Sequence, residues 1–238
     1  MLVLAVDSAT PCAGVALVED NNVLYEELAN LGKTHSQTLM PMIDRALQVG
    51  GFSIMDLSAI AVTVGPGSFT GLRIGMGTVK GLSLASGKPI VAVSTLETIA
   101  YNLTGLSHLV GVLLDARKQE VYTAVYDVQG FAPQALSAEL AISPEEFVDL
   151  AWGIKVKYKY ENIILLGDGY YPYADLFQTS FASTLLPIAP HFMLPRPAAL
   201  GSLALAKIKS GEYADIYSLS PVYLRLSEAE YKLKRGEL

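Results

Sequence analysis

Soft metal ligands are scarce in this chain: one cysteine, Cys12, and three histidines, His35, His108 and His191, in 238 residues. A single cysteine excludes an intrachain disulfide, and reducing cytosol is the natural compartment. No two histidines sit near each other, and no His-x-x-x-His, His-Glu-x-x-His or Cys-x-x-Cys occurs, so no metal site is expected. Basic charge is also short: 17 Lys and Arg stand against 23 Asp and Glu, a net charge of −6. Such a chain grips nucleic acid poorly, because phosphate contacts need clustered cations. Its basic groups, Lys155, Lys157 and Lys159 and the tail residues Lys232, Lys234 and Arg235, read as solvated faces. Any role in RNA chemistry would draw its positive surface from a partner. Long hydrophobic runs are missing too. Mean hydropathy is +0.37, yet no stretch of about 18 uninterrupted apolar residues suggests a membrane span. Met1 to Val6 is apolar but lacks a basic flank and reaches Asp7 at once, which reads as a first strand rather than a signal peptide. Ser68 lacks the Gly-x-Ser-x-Gly elbow of a serine hydrolase.

What is present is a dense apolar content, 51% of residues, punctuated by glycine. The run Ser58 to Val64 predicts a buried strand, and Gly65-Pro66-Gly67-Ser68-Phe69-Thr70-Gly71-Leu72-Arg73-Ile74-Gly75 then forces a tight turn into a helix reaching about Ser86. Upstream, Leu2–Val6, Ala13–Val18 and Asn22–Glu27 alternate as an antiparallel meander, followed by a helix over about Ser36–Val49 that Gly50-Gly51 stops. Downstream comes a strand, Pro89–Val93, and a short helix from Ser94. The order then restarts: strands at His108–Leu114, Glu120–Tyr126 and Ala138–Ile142, a helix from Ser143-Pro144-Glu145-Glu146, a strand at Ile163–Leu166, and a helix at Ala198–Lys209. The repeated pattern predicts an α/β protein of two similar units with mixed sheets, residues 1–104 and 105–238.

Three turns could carry chemistry. Asp7-Ser8-Ala9-Thr10 places a carboxylate and hydroxyls at a strand end, where they could orient Mg²⁺ and a nucleotide phosphate, or simply satisfy the local turn. Asp115-Ala116-Arg117-Lys118 takes the matching place in the second unit, and Gly167-Asp168-Gly169 follows a later strand. Together they would suit a nucleotide cleft between the halves, with Asp7, Ser8, Thr10 and Asp115 as contacts. The second long helix carries Gly71, Gly75, Gly77 and Gly81, each costing about 1 kcal/mol relative to alanine. Two readings compete: tight packing on the chain's own sheet, or close approach by another subunit. Met40, off the main stripe of the first helix, adds to the second reading.

The segments Leu4–Thr10, Thr34-His35-Ser36, Gly65–Gly75, Asp115–Tyr122, Gly167-Asp168-Gly169 and Pro221–Arg225 closely resemble the TsaB family, also called YeaZ, over nearly the whole chain. That resemblance implies a duplicated actin-like ATPase fold (ASKHA, ribonuclease H-like). It further implies a non-catalytic subunit in the formation of N6-threonylcarbamoyladenosine in tRNA. The implied partners are TsaD, the catalytic paralogue, TsaE in a larger complex, and a second copy of the chain. Contact with tRNA would be indirect, location cytoplasmic, and no cofactor required, though an adenine nucleotide could sit at the partner interface. TsaD holds metal through a His-x-x-x-His motif; the similar positions here are Thr95 and Ile99. In the family the two helices of the first unit bundle with the partner's. The expected partner-facing set is therefore His35, Leu39, Met42, Ile43, Leu72, Gly75, Met76, Val79 and Leu82. A catalytic small-molecule kinase of the same fold, or a glycoprotease-like hydrolase, is the alternative.

Overall fold

The computed structural model describes residues 1–20, 22–31 and 34–225. The basic tail residues Lys232, Lys234 and Arg235 lie outside them. Strands β1 (Leu2–Asp7), β2 (Ala13–Glu19) and β3 (Asn22–Ala29) form the expected antiparallel meander, with Leu2 opposite Glu19 and Asp7 opposite Gly14. Helix α1 (His35–Gly50) ends at Gly51, whose φ of 73° is the left-handed conformation that glycine adopts without strain. Strand β4 (Ala59–Thr63) pairs in parallel with β1. Helix α2 (Phe69–Ser86), strand β5 (Ile90–Val93) and the short helix α3 (Thr95–Ala100) follow, giving a mixed sheet of order β3-β2-β1-β4-β5.

The second half contains β6 (Leu109–Asp115), β7 (Val121–Asp127), β8 (Gln134–Ala135), β9 (Leu140–Ile142), α4 (Pro144–Tyr158) and β10 (Ile163–Leu166). Its sheet runs β10-β6-β7-β8, with β9 also on β7. Ser143 and Glu146 close a reciprocal capping box at the start of α4. The helix after β10 is not the one expected. It is α5 (Ala174–Phe181), reached through a 3-10 turn.

The predicted helix at 198–209 is α6 (Pro197–Lys209), and it departs from the expected second unit of 105–238 by packing on the first sheet. The reason lies in residue parity. On β1, Leu2, Leu4 and Val6 face α1 and α2 and meet Leu39, Ile43 and Val79. The intervening Val3 and Ala5 face the other way, with Ala16, Ala59 and Ala61 from neighbouring strands. That second face is as apolar as the first, and Leu200, Leu203 and Ala204 of α6 cover it. Gly201 allows the helix to approach Val18, whose side chain fills the space a β-carbon would need.

The four glycines of α2 part into two pairs. A β-carbon on Gly71 would strike the Ser8 carbonyl oxygen, and one on Gly75 the Ser8 hydroxyl. Gly77 and Gly81 face open space. The expected partner-facing set is corrected accordingly: Leu39, Met42, Ile43, Leu72, Gly75, Met76 and Val79 are buried in this chain's own interior, because the apolar stripe of each helix is consumed by the sheet beneath it. Leu82 is half-buried. The exposed apolar side chains of these helices are others, among them Met40 and Leu84.

The two glycine pairs should respond oppositely to substitution. Gly71→Ala overpacks a backbone contact and should lower stability by about 1–3 kcal/mol, whereas Gly81→Ala should raise it by up to about 1 kcal/mol through helix propensity. Urea denaturation of the two variants measures both signs.

A braced cleft between two turns

The turn after β4 is held against the turn after β1. Ser68 N donates to the Ala9 carbonyl at 2.7 Å, and Ser68 Oγ accepts from Gly71 N at 3.2 Å, capping α2. A β-carbon on Gly67 would collide with the Ala9 backbone. Opposite stand the Asp115–Lys118 turn and Asp168. Between the walls lies a cleft of about 780 Å³, lined by Thr10, His35, Phe69, Arg73, Asp115 and Arg117 among others.

Thr10 and Asp115 thus face the cleft as expected. Asp7 and Ser8 do not, which corrects two of the four expected nucleotide contacts. Asp7 is fully buried; it accepts from the Thr63 hydroxyl at 2.6 Å and from Ala9 N at 3.3 Å, while its Oδ2 has no partner. Burial, only partly offset by these bonds, pushes its carboxyl up to about 6. Ser8 points inward and donates to the Gly71 carbonyl at 2.9 Å. Asp115 is turned onto its own loop, its Oδ1 accepting from Arg117 N at 2.8 Å and its Oδ2 lying 3.4 Å from the Arg117 guanidinium. Asp168 accepts from Asp115 N at 3.1 Å, and burial raises its carboxyl above the usual range. Each carboxylate braces a turn. Among the described residues no group of three or more His, Cys, Asp or Glu side chains converges as a cation cage.

His35 begins α1 but belongs to the cleft rather than to an outer helix face. Its Nε2 lies 2.9 Å from the Thr10 carbonyl, which assigns the proton to that nitrogen, and Nδ1 is buried without a partner. Thr95 and Ile99 are both completely buried; Ile99 packs with Leu96, Val110 and Val112 in the core of the second half, so hydrocarbon occupies this place. Sequence reasoning missed Phe69, Arg73, Tyr223 and Arg225 as cleft residues. Phe69 and Arg73 had a signal, their i, i+4 spacing on one helix face. Tyr223, hydrogen-bonded by Arg73 Nε at 2.9 Å, is 150 positions away, and no local pattern links the two.

Residues 27–233 match the family model described as TsaD, tRNA N6-adenosine threonylcarbamoyltransferase. The chain is 35% identical over 236 residues to the tRNA threonylcarbamoyladenosine biosynthesis protein TsaB of Bacillus subtilis, covering 98% of this chain and 97% of that one. The chain belongs to the TsaB family. A Pseudomonas aeruginosa crystal structure, described as an uncharacterized protein with similarity to the peptidase YeaZ, superposes with a TM-score of 0.77 at 29% identity, covering 94% of this chain and 99% of that one. A ROK hexokinase of Thermus thermophilus shares the fold alone, at a TM-score of 0.50 and 12% identity over 87% of this chain and 100% of that one. The α/β architecture with two mixed sheets is shared with the YeaZ-like structure, and threonylcarbamoyladenosine biosynthesis is the process named for its TsaB relatives.

The Asp7 carboxyl generates a pH prediction. Its folded value near 6 stands above the unfolded 3.8, so folding stability is full below about pH 4 and falls as pH rises through 6. Asp7→Asn removes this loss. Relative to the parent chain, the variant should gain about 2 kcal/mol between pH 4 and pH 6, with a slope of at most about 1.4 kcal/mol per pH unit. Denaturation curves across that range measure the gain.

Proposed function

We propose that this chain is a non-catalytic subunit that binds and supports TsaD in forming N6-threonylcarbamoyladenosine in tRNA. The open glycine pair of α2 carries this reading. Gly71 and Gly75 have an internal reason, the close approach of Ser8. Gly77 and Gly81 have none, yet each lowers helix stability by about 1 kcal/mol against alanine. A smooth, exposed strip maintained at that cost suits another helix arriving at short distance. Leu84 on the same helix and Met40 on α1, packed beside it, supply exposed apolar surface. Two further points support a non-catalytic role. Thr95 and Ile99 are interior residues at the positions where TsaD carries metal-binding histidines, and the cleft carboxylates Asp115 and Asp168 are bonded to turn amides.

On this reading TsaD is the principal partner, with TsaE joining a larger assembly and a second copy of the chain able to use the same strip. An adenine nucleotide would sit at the shared interface rather than be turned over by this chain, and the acidic net charge leaves tRNA to the partner. The site of action is the cytoplasm. The kinase alternative needs carboxylates free to hold Mg²⁺-ATP, and the hydrolase alternative needs an activated nucleophile or metal; neither is favoured by the bonding of these side chains.

The test is size-exclusion of the chain mixed with TsaD at micromolar concentrations. Co-elution is expected for the parent chain, and its loss for Gly77→Arg and Gly81→Arg with circular dichroism unchanged. Undiminished co-elution of both variants, or nucleotide turnover by the isolated chain, would overturn the reading.

A further inference from the structure

The stretch following α6 crosses from one half of the molecule to the other. Ala214 N donates to the Ile90 carbonyl at 2.8 Å, tying its start to the edge of the first sheet. Val222 N donates to the Val64 carbonyl at 2.7 Å, and the Val222 carbonyl occupies the space a side chain at Gly65 would need. Tyr223 then lies on Phe69, ring centroids 4.8 Å apart and 29° from parallel, and the Arg73 guanidinium covers the Phe69 ring at 3.8 Å. All of these contacts are to the first half.

Two residues later the chain reaches the opposite wall. Arg225 Nη1 donates to the carbonyls of Ala116 and Arg117, the latter at 3.0 Å. Arg225 Nε lies 2.9 Å from Glu120 Oε2, an ion pair without hydrogen-bond alignment, and the Arg225 side chain is 12% exposed. The turn that receives it is strained. Arg117, Lys118 and Gln119 are three consecutive non-glycine residues in the left-handed region, at φ of 63°, 53° and 61°. Charge-assisted bonds from Arg225 fall on the first of these residues and on the one before it, and such bonds are among the strong ones.

We propose that residues 221–225 are a latch, an internal ligand that holds the two halves closed over the cleft. In proteins of two lobes joined by a hinge, closure commonly follows from a bound molecule that touches both walls. Here Tyr223 takes the aromatic slot of one wall and Arg225 the carbonyls of the other, so the chain supplies the bridging contacts itself. A ligand entering the cleft must compete with both. The latch is intramolecular, so it is tested on the isolated full chain without TsaD.

Hydrogen–deuterium exchange on the parent chain, Tyr223→Ala and Arg225→Ala reads the coupling. A latch makes each substitution loosen both walls. The amides of Gly71 and Leu72 on one side, and of Ala116 and Glu120 on the other, should exchange about tenfold faster or more in either variant, with β1 and β6 unchanged. Acceleration confined to the wall that the substituted residue touches, or to 221–225 alone, overturns the proposal. If the alanine variants lose protection throughout, Tyr223→Phe and Arg225→Lys decide. Phenylalanine keeps the stack but loses the Arg73 bond, and lysine keeps the charge but not the fork; each should still loosen both walls, and a change at one wall only overturns the latch.

Discussion

The first half of the molecule depends on a close approach of backbone to backbone, where the turn after β1 meets the first turns of α2. Gly67 and Gly71 are in contact with the Ala9 and Ser8 backbone, and Gly75 with the Ser8 hydroxyl. The approach locks the start of α2 onto the end of β1, fixing the helix direction over the sheet. It also determines which helix face is interior and which is left open. The cleft has its first wall because this contact holds Thr10, Phe69 and Arg73 at one edge.

The polar groups near this contact are bonded within it. Ser8 closes it with a hydrogen bond to Gly71, and Asp7 lies beneath it, bonded to Thr63 and Ala9. A fully buried carboxyl with one oxygen unpartnered is costly to ionise, which sets the pH sensitivity of the fold near a carboxyl value of about 6. On the second wall the same economy holds, with Asp115 and Asp168 bonded to turn amides.

Much of the fold was legible because its signals are local. Alternation named the meander, the glycine-rich turn marked the strand-to-helix switch, and Ser143 with Glu146 announced α4. Assigning α6 to the second half failed because amphipathic pattern states that a helix needs a surface, not which surface. Of the four residues expected at the cleft, Thr10 and Asp115 line it while Asp7 and Ser8 lie beneath its wall, since a carboxylate at a strand end can point into a cleft or under a turn with the same sequence. Leu39, Met42, Ile43, Leu72, Met76 and Val79 were expected outside and lie inside, because the stripe that makes a helix sticky is the stripe its own sheet claims first.

The sequence by itself determined the strand and helix alphabet, the capping and turn positions, the scarcity of metal ligands, and the resemblance that placed the chain in its family. These depend on residue type at short spacing. Only the tertiary structure decided which glycines face inward, which half receives α6, and that Tyr223 and Arg225 join two walls. Those outcomes depend on contacts between residues far apart in the chain, such as Gly201 with Val18 and Tyr223 with Arg73, whose pairing is set by competition among apolar faces for burial and leaves no periodic trace in the chain.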